Sequence, residues 1–131
     1  MYYRIDVSGP VPIYEQIIQQ VKAAIATGAL LPDDPIPSVR EVAKELAINP
    51  NTVARAYRDL QKEGTIYPNR GLGLNVSQEA PEKCRTERIE SFQENVDRLL
   101  ADALRNRFSP ETIKRVIGEA LKKLPTEATV S

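Results

Sequence analysis

The sequence predicts a mainly α-helical chain with one small β-hairpin. Apolar residues recur at steps of three and four in successive stretches between Tyr14 and Leu124. That period breaks between Thr65 and Val76, where two short β-prone runs flank a glycine-rich turn. Capping residues, first-turn prolines and stop glycines mark most of the boundaries between these stretches.

In chain order, a short polar lead-in is followed by Pro10-Val11-Pro12. Tyr14, Ile17, Ile18, Val21 and Ile25 then form the buried stripe of a first helix that stops at Gly28. Residues 29–37 carry three prolines and two aspartates, which excludes a helix and leaves an extended connector. Ser38 and Glu41 have capping-box spacing, and Val39, Val42, Ala43 and Leu46 give a short helix its inner face, with Arg40 and Lys44 outside. Only Ala47 and Ile48 separate that helix from Asn49, a length at which two helices meet at a steep angle.

The next helix has both ends written in the sequence. Asn49 caps it, Pro50 suits a first helical position, and Gly64 suits a left-handed stop. At 100° per residue Val53, Ala56, Tyr57 and Leu60 share one stripe, while Asn51, Arg55, Arg58 and Lys62 lie opposite, with Thr52 at the margin. Amide and guanidinium groups on the first turns suit base edges, and cations further along suit phosphates. The ordinary alternative is a solvated helix face, which the steeply joined preceding helix makes less apt. The hairpin follows, with Arg70 projecting from a tip in which Gly71 and Gly73 relax the backbone. No strand-to-helix context supports a nucleotide-binding reading of these glycines.

The polar stretch from Gln78 to Arg85 contains Pro81 and is expected to be a linker. Phe92, Val96, Leu99, Leu100 and Leu104 then define a long amphipathic helix from about Ile89 to Phe108. Ser109 and Pro110 start a last helix with a stripe of Ile113, Val116, Ile117, Leu121 and Leu124. Two helices in an antiparallel hairpin cannot cover both stripes, so a second copy of the chain is expected to pack there. The expected organisation is therefore a DNA-binding domain over 1–77, a linker over 78–88, a dimerisation segment over 89–124 and a frayed tail over 125–131.

Length and composition bound the rest. In 131 residues there is room for one ordinary core and an appendage, without a ligand domain of usual size. Lys and Arg total 18, as do Asp and Glu, so any DNA affinity must come from a local patch. Histidine is absent and Cys84 is the single cysteine, which excludes an internal disulfide and a Cys/His zinc cluster and leaves no paired base for nucleophilic catalysis. Neither an enzyme nor a cofactor is expected. The apolar runs are too short for a signal peptide or membrane span, which points to a soluble, cytoplasmic protein. Two helices joined by a tight Ser-Pro turn cannot enclose a cavity of the usual size, so no effector pocket is expected within the last two helices.

The order of elements is that of a winged helix-turn-helix protein with a two-helix appendage. The chain resembles the GntR family, on Pro12-Ile13-Tyr14 with Gln16-Ile17, Gly28-Ala29-Leu30, Pro37-Ser38-Val39-Arg40-Glu41-Val42-Ala43, Asn49-Pro50-Asn51-Thr52-Val53-Ala54-Arg55-Ala56-Tyr57, Glu63-Gly64 and Arg70-Gly71-Leu72-Gly73. The Asn-Pro-Asn-Thr-Val run and short tail are similar to its YtrA subfamily, whose members lack the usual effector domain. The resemblance implies a homodimeric repressor of a palindromic double-stranded operator. It implies DNA contacts by Arg40, by Asn49 to Arg55 and by the wing from Arg70 to Gly73. A helical interaction adaptor without DNA binding is the alternative. Asp33 stands where the family commonly has glycine. Leu72, Leu74 and Asn75 replace a basic residue, a threonine and an aromatic, so a weaker hold on phosphate is expected of the wing.

Overall fold

Proline and glycine punctuation sets the element ends. In the computed structural model, which describes residues 1–125, α1 (Ile13–Thr27) begins after Pro12 and ends on Gly28 at φ 85°. Ser38 and Glu41 close the expected capping box on α2 (Val39–Leu46). Asn49 caps α3 (Pro50–Lys62) by accepting from the Asn51 amide at 2.9 Å. The turn between α2 and α3 places Ala47 at φ 52°, a left-handed conformation the sequence did not advertise because no glycine marks it.

The chain is mainly helical with a two-stranded antiparallel hairpin, β1 (Ile66–Asn69) and β2 (Gly73–Val76), in which Ile66 pairs with Val76 and Tyr67 with Asn75. α1 and α2 both pack on α3, and the first unit, Met1–Thr86, holds the core. Ile17, Val21 and Ile25 of α1, Val42 of α2, Val53, Ala56, Tyr57 and Leu60 of α3, and Ile66 and Val76 of the hairpin are all buried. Every residue assigned to the inner stripe of α3 is therefore inside.

The lead-in is not loose. The side-chain amide of Gln20 pairs with the amide and carbonyl of Arg4, at 2.8 and 2.6 Å, and Gln16 does the same for Asp6. The two glutamines lie one turn apart on α1 and satisfy the backbone of alternate residues, as a neighbouring strand would. Tyr3 is thereby drawn into the core. Its hydroxyl bonds that of Tyr57 at 2.9 Å, and Tyr57 donates to the Pro37 carbonyl at 2.7 Å.

Burial of this pair has a consequence at high pH. Loss of solvation pushes the Tyr3 phenol up to about 12, outweighing the lowering effect of its hydrogen bond with Tyr57, and burial pushes Tyr57 still higher. Both phenols stay neutral in the folded state while an unfolded chain ionises them near pH ~10. Their contribution is thus fully present below about pH 10 and is lost as pH rises towards the folded values. Denaturant midpoints are expected to hold steady from about pH 8 and to fall above about pH 10, Tyr3 alone accounting for on the order of 2 kcal/mol. The Tyr3→Phe variant should show a shallower fall. An equal fall in the variant would assign the alkaline loss to other groups.

The stretch expected to be a linker is helical. α4 runs from Ala80 to Arg105, and both Ala80 and Cys84 are 1% exposed within the core of the first unit. Pro81 does not break it because proline in a first turn forfeits no intrahelical bond. The thiol placed in a polar linker is consequently a core group. α4 stops three residues before Phe108, where Arg107 turns left-handed at φ 60°.

The second unit begins at Glu87. Ser109 caps α5 (Pro110–Lys122), accepting from the Thr112 amide at 3.1 Å. α5 has no buried residue. Phe92, Leu99, Leu104, Val116, Leu121 and Leu124 are exposed, Phe92 to 69%, while Val96, Leu100, Ile113 and Ile117 are half-buried. The expected tail, apart from Pro125, lies outside the described residues.

Candidate nucleic-acid interface

A helix can present one face only if its opposite face is fixed, and α3 meets that condition. With Val53, Ala56, Tyr57 and Leu60 at 0–1% exposure, its rotation about its own axis is set. Asn51, Arg55, Arg58 and Lys62 are all exposed, and Thr52 is half-buried beside them. Capping uses one lone pair of Asn49 Oδ1, so its second lone pair and its Nδ2 group are left to meet a ligand.

Arg55 is supported in a way the sequence did not reveal. Its guanidinium lies 3.9 Å from the centroid of the half-buried Tyr14 ring on α1. Stacking at an exposed site is worth about 0.5–1 kcal/mol, enough to bias the side chain's pose without preventing its movement onto a base. The sequence places Tyr14 on the packing stripe of α1, and no local pattern links it to Arg55. At the other end of α3, Glu63 forms a 2.8 Å ion pair with Lys22, and Lys83 of α4 donates to the Glu63 carbonyl at 2.7 Å. An acid at a helix C-terminus is unfavourable next to the helix dipole, and these two ammonium groups offset it.

α2 packs on α3 and leaves Arg40 and Lys44 exposed, one turn apart. Arg70, Gly71 and Gly73 are exposed at the hairpin tip, where the Leu72 amide donates to the Asn69 carbonyl at 2.8 Å. Gly71 and Gly73 both have φ 79°, and a Cβ at either would meet nothing within 4 Å. Backbone conformation, not space, requires glycine there. Leu72 is 66% exposed, while Asn75 is buried within the hairpin. The three sets, on α2, α3 and the wing, carry cations and amides with no buried acid among them.

Comparison with known proteins gives a consistent picture. The profile described as "Bacterial regulatory proteins, gntR family" matches residues 13–76. The chain is similar to the HTH-type transcriptional repressor YtrA of Bacillus subtilis (strain 168). It is 41% identical to that protein over 100 residues, covering 76% of this chain and 77% of the relative. A transcriptional regulator from Oenococcus oeni aligns with a TM-score of 0.78 at 27% identity, covering 92% of this chain and 99% of its own. The DNA-binding domain of AraR, solved in complex with operator ORX1, aligns with a TM-score of 0.52 at 27% identity. It covers 59% of this chain and 99% of its own.

Proposed function

We propose, because this chain belongs to the GntR family of bacterial regulatory proteins and is a DNA-binding transcriptional regulator, that it acts in the cytoplasm as a homodimeric repressor of a two-fold symmetric operator. The observation that carries the reading is α3 itself, capped at Asn49, buried along Val53, Ala56, Tyr57 and Leu60, and exposed along Asn51, Arg55, Arg58 and Lys62. Its relatives are regulators, not enzymes. The AraR domain bound to an operator supports placing α3 against DNA.

In this reading Asn49, Asn51, Thr52 and Arg55 meet base edges in the major groove. Arg40, Lys44, Arg58 and Lys62 hold phosphates, and Arg70, Gly71 and Gly73 reach the backbone beside the groove. Residues 1–86 form the DNA-binding head, and the apolar faces of α4 and α5 pair with those of a second copy. Two helices joined by a tight Ser-Pro turn are not expected to enclose an effector pocket, and the seam between copies is where regulation could still act. Selection from random duplex DNA is expected to return a two-fold symmetric site with half-sites about one helical turn, or multiples of it, apart. An asymmetric site would contradict the symmetric dimer, and absence of enrichment would leave the adaptor reading standing.

Two substitutions divide the face by role. Arg55→Ala should cost roughly 1–3 kcal/mol on the selected site and relax preference at one position, as competition titrations would show. Equal losses on selected and random duplexes would make Arg55 a phosphate contact instead. Lys62→Ala should reduce the slope of log affinity against log salt by about one on any sequence. An unchanged slope would remove Lys62 from the interface.

A further inference from the structure

Asp33 of the connector engages both strands of the hairpin at once. At φ 70° it lies in the left-handed region, which aspartate tolerates better than most residues. Its amide donates to the Val76 carbonyl at 2.7 Å, and its own carbonyl accepts from Asn75 Nδ2 at 2.7 Å. Its carboxylate accepts from the Tyr67 hydroxyl on β1 at 2.7 Å and from Gln78 Nε2, just beyond β2, at 2.6 Å. Further bonds from Val76 N to the Asp34 carbonyl (2.9 Å) and from Ile36 N to the Leu74 carbonyl (3.0 Å) make the connector a third antiparallel edge on β2. Pro35 bridges Asn75 in the same register.

This arrangement answers a physical need. Two strands of four residues joined by a turn with two left-handed glycines are marginal alone, and their tip would sample many poses. Asn75 is 4% exposed and its Oδ1 has no partner among the described residues, so its bond to the Asp33 carbonyl is what keeps a buried amide tolerable there. Asp33 and Asn75, far apart in sequence, meet in a single network.

We propose that Asp33 is the positioning residue of the wing, holding β1 and β2 so that Arg70 and the Gly71–Gly73 tip are presented to DNA in one pose. This rests on the reading of the wing as a DNA contact. Asp33→Gly is the informative variant in the full chain, because glycine keeps the left-handed backbone and removes only the carboxylate. Amide exchange of residues 70–73 should then quicken by about tenfold without global unfolding. Asp33→Asn retains an acceptor for Tyr67, and Gln78 can turn its amide to match, so exchange should return towards the parent rate.

On the selected duplex Arg70→Ala should weaken binding by about tenfold in the parent, but by less than about twofold in the Asp33→Gly background. Arg70 and Asp33 share no hydrogen bond, so a purely local structural role would leave the two losses additive. Unchanged exchange in Asp33→Gly, or additive losses, would overturn the positioning role. Faster exchange together with an Arg70→Ala variant that binds normally would overturn the wing as a DNA contact, and this role with it.

Discussion

A fragment ending at Ser77 is expected to melt more than about 10 °C below one ending at Thr86, although the shorter fragment keeps every element of the helix-turn-helix and wing. The first two turns of α4 belong to the core of the head. Ala80 and Cys84 are each 1% exposed, and Lys83 donates to the Glu63 carbonyl at the end of α3. Removing two core side chains opens one flank of the core to water and costs on the order of 3 kcal/mol by transfer and cavity terms. For a domain whose whole stability is about 5–15 kcal/mol, that is a large share. Thermal melts of the two fragments, followed by circular dichroism, check it. Equal melting temperatures would mean that the residues after Ser77 are dispensable, as a linker would be.

The second large effect concerns assembly. Leu99 and Leu121 are 65% and 59% exposed in the single chain, so Leu99→Asp with Leu121→Asp places charge in water and should leave the head's melting unchanged. Paired with a second copy, the same positions would bury two carboxylates per chain without partners, at a cost of several kcal/mol. The double variant should therefore be monomeric at micromolar concentration by sedimentation. Its operator affinity should fall by about 10²–10⁴, because a lone head loses the effective concentration that a linked head provides. A double variant that stays dimeric would show that α4 and α5 are not the seam.

How far the sequence could be read follows from the range of each interaction. α3 was legible in full because its cap, first-turn proline, inner stripe and glycine stop all lie within sixteen consecutive residues. The capping box of α2 and the hairpin glycines were legible for the same reason. The start of α4 was not: Pro81 looks like a breaker, and Glu79, Glu82, Lys83 and Arg85 hide the spacing of Ala80 and Cys84. Tyr14 under Arg55, Tyr3 on Tyr57, and Asp33 holding Tyr67, Asn75 and Gln78 join residues far apart in sequence, and no period marks such pairs. The left-handed turn at Ala47 was hidden because alanine carries no signal for it.

Stoichiometric titration of the selected duplex, combined with hydroxyl-radical protection of both strands, tests the central claim most directly. Two protomers are predicted to bind each duplex and to protect two patches related by the site's two-fold axis, centred about 10 base pairs or a multiple apart. One protomer per duplex with a single protected patch would contradict a symmetric dimer that reads DNA through α3.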